Sequence, residues 1–236
     1  MNRKEAADFA GSVGLGAWVA FGLLAMIVIG RSGAPLAPDD AVLTWSLHHR
    51  PAEVEALARG VSATGTGVIP YALVVLAALF VGHTARQRLA AAVLALACLA
   101  AGQALRFGVM MLVQRPRPPH ADWAAHASGW AFPSGHSATA ALAAGLVILA
   151  VRIRAPRGKN PLTGVVAVWG IAVGLTRTTL AVHWGTDVLG GWLFAIGWAG
   201  LCLCAASWWL PERFIPSVAH TSSESVEGHA PQDPGR

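Results

Sequence analysis

Three short polar segments interrupt a chain that is otherwise strongly apolar, and each carries side chains capable of chemistry. The first, residues 114–120, places Arg115 and Arg117 at alternate positions between prolines. Proline holds the backbone extended, and the planar guanidinium group is the side chain best suited to bidentate contact with a phosphate. This segment indicates an anion site, although by itself it is also typical of arginines that bind lipid headgroups.

The second segment is Pro133-Ser134-Gly135-His136, directly before an apolar run. Ser134 suits the N-cap of a helix, and the first turn of a helix offers free backbone N–H groups and the positive end of the helix dipole to an anion. His136 lies in that first turn, within reach of whatever the helix end binds. The alternative is an ordinary capped helix with an interfacial histidine.

The third segment, residues 176–187, contains Arg177, His183 and Asp187. Residues four apart share a helix face, so the carboxylate can accept a hydrogen bond from the imidazole and leave the other ring nitrogen free as nucleophile or base. An aspartate at the start of an apolar helix is costly unless it is paired, so we expect His183 or Arg177 to be its partner. A purely structural Asp–His cap is the alternative.

The composition excludes several classes of protein. Of 236 residues, 55% are hydrophobic and only 12% are charged, about half the charged fraction usual in a soluble domain. This argues against a soluble enzyme, a disordered protein and a coiled coil, and it predicts a polytopic membrane protein. We attribute the formal net charge of +5 to loop arginines facing an anionic leaflet, so the bilayer and not nucleic acid is the expected partner.

Six apolar stretches approach or exceed the length of about 20 residues that a membrane span requires. They are residues 9–30, 66–82, 89–113, 135–150, 162–182 and 188–210. Their many small residues allow close helix packing, so we expect an all-α fold with six transmembrane helices in a compact bundle. The first stretch is longer than the apolar core of a signal peptide, which favours an uncleaved first helix.

The charge pattern predicts the orientation of the bundle. Ten cations fall on the side of the two termini and six on the other, so the positive-inside rule places both termini in the cytoplasm. Alternation of the spans then brings all three polar segments to the external face, where we expect them to form one site. Residues 1–215 are expected to form one transmembrane domain, with 31–65 as an external amphipathic segment and 216–236 as a disordered cytoplasmic tail.

Together, the three segments resemble the motifs of the type 2 phosphatidic acid phosphatases, a superfamily of lipid phosphatases related to vanadium haloperoxidases. The second family motif, Pro-Ser-Gly-His, is matched in full by residues 133–136. The third, Ser-Arg-x5-His-x3-Asp, is matched at every spacing by residues 176–187, with Thr176 in place of Ser. The end of the first, Lys-x6-Arg-Pro, is matched by Arg117-Pro118 or by Arg115-Pro116. The motif order and the six spans agree with the family as well.

One position departs from the family pattern. The lysine of the first motif is expected seven residues before its arginine, but Met110 precedes Arg117 and Gly108 precedes Arg115 at that spacing. Arg106 lies one helical turn before Met110 on the same helix face, from which its side chain can extend toward the site. Either a neighbouring arginine, Arg106 or Arg115, supplies the missing cation, or the site works with one cation fewer.

The resemblance implies a role for each matched residue. His183 is expected to attack phosphorus and form a phosphohistidine, with Asp187 orienting it, while His136 protonates the leaving group and then activates water. The phosphate oxygens are expected to be held by Arg117, Arg177, Ser134 and Gly135, with Arg115 as a second candidate for the first arginine. No cofactor and no metal is expected, and the site lacks the carboxylate cluster typical of Mg²⁺-dependent phosphoryl transfer.

The resemblance thus predicts a metal-independent hydrolase of the cell membrane that removes phosphate from a lipid phosphate or diphosphate at the outer leaflet. Undecaprenyl diphosphate, phosphatidic acid and phosphatidylglycerol phosphate are the substrates it suggests. The alternative is a catalytically weak or inactive member that binds or transports phospholipid, which the missing lysine favours and the intact His183–Asp187 pair opposes. A vanadate haloperoxidase is disfavoured because those enzymes are soluble.

Overall fold

A computed structural model describes residues 3–155 and 161–209, and within these ranges the chain is helical and forms no strand. The α-helices of these ranges are, in chain order, α1 (Arg3–Gly30), α2 (Ala37–His48), α3 (Ala52–Ala63), α4 (Val68–Val81), α5 (Ala85–Val113), α6 (Gly135–Arg154), α7 (Pro161–Thr179) and α8 (Gly185–Trp209). A 3-10 helix, His120–Asp122, lies between α5 and α6. The expected all-α fold is confirmed.

Among the described helices, five are long and apolar enough to cross a membrane: α1, α5, α6, α7 and α8. The second predicted span corresponds to α4, which has 14 residues and is too short to cross alone. It passes the same test jointly with α3, from which it is bent by 52°. The described helices therefore provide five crossings, or six if α3 and α4 are counted as one span bent at residues 64–67.

The fifth predicted span is shortened by a turn that the apolar pattern concealed. α7 ends at Thr179, and residues 180–184 turn before α8 begins at Gly185. The backbone N–H groups of Val182 and His183 both donate to the carbonyl of Arg177, and Ala181 adopts a φ of +53°. His183 therefore lies in a turn and not on a helix, although the turn keeps it beside the first turn of α8.

Helix α1 packs antiparallel along α8 through small residues. A Cβ added to Gly200 would lie 2.6 Å from the Cα of Gly14, so the two backbones are in direct contact. Further along, Trp18, Phe21 and Phe194 pack edge to face. The amino end of α1 and the carboxyl end of α8 consequently lie at the same end of the bundle.

The opposite end is covered by α2 and α3, which we call the helical cap. Arg50, between the two cap helices, donates to the carbonyls of Thr179 and Asp122. Arg59 on α3 donates through Nε to the carbonyl of Ala124 at 2.6 Å. Residues 31–65 thus form two helices, and these are tied to the loops that hold the polar segments. The predicted tail, residues 216–236, lies outside the described residues.

Candidate active site

The three polar segments meet at a cavity of about 330 Å³ beneath the helical cap. From the first segment Arg117 lines it, from the second Gly135 and His136, and from the third Arg177 and His183. The rest of the lining is Arg106, Phe107, Met110 and residues 126–130. Both histidines of the motifs therefore face one space that is large enough for a phosphoryl group.

His183 is 4% exposed, and its two ring nitrogens have different neighbours. Nε2 lies 2.9 Å from Nη1 of Arg117, which can only donate, so Nε2 is the acceptor and the proton belongs on Nδ1. Nδ1 lies 3.5 Å from Oδ2 of Asp187 and makes no hydrogen bond within the described residues. Hydrogen bonds at catalytic sites often shorten to normal length only when substrate binds.

The charge state of His183 follows from its surroundings. Burial lowers the pKa of the imidazole well below its usual value, and the nearby guanidinium groups of Arg117 and Arg177 lower it further. The neutral form therefore prevails at physiological pH, which a nucleophile requires.

Asp187 lies in the first turn of α8 and is completely buried. Its Oδ2 accepts from the backbone N–H of Trp184 at 2.9 Å, and its Oδ1 accepts from Nη1 of Arg115 at 2.7 Å. The backbone N–H of Ser134 donates to the Asp187 carbonyl at 3.0 Å, which joins the start of α6 to the start of α8. The carboxylate facing His183 is therefore held by two donors, and the main chain of Asp187 is fixed to the start of α6.

The second segment divides between structural and cavity-facing residues. Ser134 is the N-cap of α6, is fully buried and does not line the cavity; its Oγ accepts from Oγ of Ser137 at 2.9 Å. Gly135 and His136 do line it, and Nε2 of His136 lies 3.4 Å from Oγ1 of Thr66 at the break between α3 and α4. Ser134 thus orients the helix end, and its neighbours Gly135 and His136 face the cavity.

Arg177, in the last turn of α7, is 3% exposed and keeps an unused donor. Nη1 donates to Oγ of Ser62 on α3 at 2.7 Å, while the buried Nε has no hydrogen-bond partner within the described ranges. A buried donor without an acceptor is costly, so this geometry suits an anion that completes the set.

Arg117 lines the cavity and is held there by main-chain carbonyls. Nε and Nη2 donate to the carbonyls of residues 128–130, and Nη1 donates to the Val182 carbonyl at 2.7 Å as well as facing His183. Because every N–H of the group has an acceptor, Arg117 must release one of these contacts to bind a phosphate oxygen. An anion bound against Nε2 of His183 would replace the contact between that nitrogen and Arg117.

The sequence suggested Arg115 as a second candidate for the phosphate-binding arginine, but in the structure Arg115 does not line the cavity. The side chain is fully buried and all five of its N–H donors are satisfied. The acceptors are the carbonyls of Gly33 and Ala34, Oγ1 of Thr186, and the carboxylates of Asp39 and Asp187. No donor is left for an anion, so Arg115 positions Asp187 instead.

Asp39, on α2, is the site residue that sequence reasoning missed. It is 1% exposed and forms an ion pair with Arg115 at 2.7 Å. Burial alone would raise the pKa of its carboxyl, but hydrogen bonds from the backbone N–H groups of Leu36 and Thr186 and from Arg115 keep the pKa below its usual value. Asp40 beside it is exposed, and nothing in the sequence distinguishes the two.

Arg106 does reach the site, from one turn below Met110. It lines the cavity, with Nη1 lying 3.5 Å from the Met110 sulfur. A Cβ added to Gly135 would lie 3.5 Å from its Cζ, so the guanidinium group lies beside the start of α6. In the part of the chain that the structure describes, no group of three or more His, Cys, Asp or Glu side chains is arranged to hold a metal ion.

Comparison with known proteins gives consistent matches. A family model described as PAP2 superfamily matches residues 90–211. The chain is 33% identical over 100 residues to a phosphatidylglycerophosphatase B of Escherichia coli (strain K12), covering 42% of this chain and 36% of that protein. It is 35% identical over 88 residues to a phosphatidylglycerophosphatase B of Bacillus subtilis (strain 168), covering 36% of this chain and 42% of the relative. The matched part thus spans less than half the length of these curated relatives.

A solved structure shows the same fold. The crystal structure of the first transmembrane PAP2 type phosphatidylglycerolphosphate phosphatase from Bacillus subtilis superposes with a TM-score of 0.66 at 23% identity. The superposition covers 83% of this chain and 94% of that chain. The likeness therefore extends well beyond the motifs, to the arrangement of the helices that hold them.

Proposed function

The chain belongs to the PAP2 superfamily, and from this premise we propose that it is an integral-membrane phosphatase that hydrolyses lipid phosphates through a phosphohistidine. The observation that carries the proposal is the common cavity of His136, Arg177 and His183, with Nδ1 of His183 facing the buried Asp187. A nucleophile, a second acid–base group and anion-binding donors are what two-step phosphoryl transfer requires.

In the first step, Nε2 of His183 attacks phosphorus while the bond from phosphorus to the leaving oxygen breaks. His136, which must be doubly protonated when the substrate is bound, gives one proton to that oxygen, so the leaving group departs as a neutral alcohol or a protonated phosphate. The imidazole of His183 becomes positively charged as the P–N bond forms, and Asp187 stabilises this charge across Nδ1.

In the second step, His136 takes a proton from water, and the water oxygen attacks phosphorus. The P–N bond breaks, inorganic phosphate leaves, and both histidines return to their starting states. Arg117, Arg177 and the N–H of Gly135 hold the equatorial oxygens in both steps, where a single such donor is typically worth ~3–4 kcal/mol. Ser134 contributes by fixing the helix start that presents this N–H.

The substrate is proposed to be a lipid with a terminal phosphate, such as phosphatidylglycerol phosphate. The names of the matched relatives support this choice, and phosphatidic acid and undecaprenyl diphosphate are the competing candidates. Phe107 and Trp130, both exposed at the cavity, offer apolar surface to an acyl chain. The excess of cations on the side of the termini supports an external site in the cell membrane, so hydrolysis is proposed to occur at the outer leaflet.

The proposal is tested by phosphate release from a panel of these lipids with purified protein in detergent. We expect release that EDTA does not abolish, because the residues named above supply the whole mechanism. His183→Ala should remove turnover while His120→Ala, an exposed histidine at the same end of the bundle, should not. Retained turnover in His183→Ala would refute the assigned nucleophile.

A trapping experiment separates this function from lipid binding or transport. The labelled substrate is one whose leaving group needs no protonation, so that the first step does not require His136. In His136→Ala the attack of water should then be the slowest step, and an acid-labile phosphohistidine should accumulate. Lipid binding without phosphate release or labelling would instead identify a non-catalytic member of the family.

A further inference from the structure

The cavity has an unbalanced charge. Three arginines line it, Arg106, Arg117 and Arg177, and none of its lining residues is an aspartate or glutamate. The family pattern assigns Arg117 and Arg177 to phosphate but assigns nothing to Arg106. The motif resemblance therefore does not explain why Arg106 lines the cavity in this chain.

The hydrogen bonds of Arg106 leave most of its donors unused. Within the described ranges its partners are Oε1 of Gln103, at 3.2 Å from Nε, and the Met110 sulfur, at 3.5 Å from Nη1. Neither partner is charged, and a thioether is a weak acceptor. Gln103 in turn donates to Oγ1 of Thr139 on α6, which fixes its amide so that Oε1 faces Arg106.

An arginine in this position is expensive unless something compensates its charge. Arg106 lies seven residues before the end of α5, inside a membrane-spanning helix, and is half-buried. The other charged groups of the cavity are cations, so they raise the cost and do not reduce it. An anion that enters the cavity would supply the missing partner.

The position of Met110 points to a phosphoryl group as this anion. Position 110 is where the motif that this segment resembles places a lysine, and here the Met110 side chain lines the cavity and contacts the Arg106 guanidinium. The guanidinium lies beside Gly135, whose missing side chain leaves the start of α6 open. A lysine at position 110 would place a positive charge in this space. Arg106 places its charge in the same space, from one helical turn earlier on α5.

We propose that Arg106 is a phosphate-binding residue of this site and replaces, from one helical turn deeper, the cation lost at Met110. The inference rests on the proposed function for the identity of the anion, a phosphoryl group. It predicts that a lysine at position 110 can take over when Arg106 is removed.

The test combines direct phosphate binding with turnover. Affinity for inorganic phosphate is measured by calorimetry on the full chain in detergent, and kcat and KM are measured with the best lipid substrate. Arg106→Gln should weaken phosphate binding at least tenfold and lower kcat/KM by about 100-fold, the usual loss for one oxyanion donor. Arg106→Gln combined with Met110→Lys should recover most of both losses.

A matched control lies on the same helix. Arg86→Gln removes an exposed cation from the first turn of α5, at the opposite end, and should change neither quantity. Arg106→Met removes the charge without adding a polar group and serves if the glutamine variant does not fold. The same losses and the same recovery are expected of it.

The outcomes separate this inference from the proposed function. If the wild type releases phosphate and the Arg106 variants bind phosphate and turn over like Arg86→Gln, the inference is overturned while the function stands. If the wild type hydrolyses no lipid phosphate, the function fails, and the phosphate affinities still decide whether Arg106 binds the anion. Loss of turnover with unchanged phosphate affinity and no recovery by Met110→Lys would reduce Arg106 to a structural residue and also overturn the inference.

Discussion

Removing the Asp39 carboxylate should impair both stability and turnover, although Asp39 does not line the cavity. Asp39 joins the helical cap to the start of α8, because it pairs with Arg115 and accepts from Thr186, and Arg115 pairs with Asp187. In Asp39→Ala, Nη2 of Arg115 keeps only the distant Ala34 carbonyl, at 3.4 Å. A completely buried guanidinium would thus lose one of its two carboxylate partners.

The magnitude follows from the burial of the pair. Both side chains are inaccessible to solvent, and removing one partner of a buried ion pair costs about 3–5 kcal/mol. Arg115 also donates to the Asp187 carboxylate, and a displacement of about 1 Å at a reacting group can lower the rate 100-fold. We therefore expect a fall in Tm and a fall in kcat of about 100-fold, with a smaller change in KM.

The assay compares Asp39→Ala with Asp40→Ala, its exposed neighbour on the same helix. Thermal unfolding in detergent and the steady-state constants are measured for both. Asp39→Asn is added because it keeps the side-chain volume but replaces one carboxylate oxygen with an NH2 group. That NH2 group would face donors that need an acceptor. If the Asp39 variants match Asp40→Ala in Tm and kcat, the ion-pair network does not position the site and the reasoning is refuted.

Two further predictions concern the charge on the nucleophile and the packing behind it. Burial and the adjacent cations lower the pKa of His183, and the rate should fall as this imidazole becomes protonated. Because Arg117→Gln removes one of these cations, the variant should raise the pKa of His183. The acid limb of the kcat/KM profile of Arg117→Gln should therefore move to higher pH, whereas that of the control Arg31→Gln should not move. A move to lower pH would contradict the assignment of this limb to His183. A Cβ on Gly191 of α8 would lie 2.8 Å from the start of α6, so Gly191→Ala should cost about 1–3 kcal/mol in thermal unfolding. Gly145→Ala, with open space around it, should cost nothing, and equal Tm values for the two would show that the α6–α8 contact is not tight.

The helical cap gives residues 31–65 a role that amphipathicity alone did not indicate. Ser62 on α3 accepts from Arg177, Thr66 lies beside His136, and Asp39 on α2 holds Arg115. The cap therefore contacts the first and third polar segments, and Thr66, just after the cap, lies beside the second. The spacing of apolar residues in this segment predicted helices. Such a spacing indicates which helix face is apolar, but it does not indicate which polar side chain will be buried.

Several features followed from the sequence alone because they depend on local chemistry. Apolar length predicted the spanning helices, since a bilayer span needs a minimum number of residues regardless of its partners. Ser134 before Gly135 predicted the start of α6, because an N-cap is a local interaction. The meeting of the segments followed from topology, since spans alternate direction and the segments fall on one side.

Only the tertiary structure decided between residues of the same type. Arg115 and Arg117 stand two positions apart, and the choice between them depends on where Asp39 and Asp187 lie, far away in the chain. Asp39 and Asp40 differ only in which one faces a buried guanidinium. The physical reason is that charge pairing in a buried site depends on distances between remote segments, and sequence spacing along one segment contains no such distances.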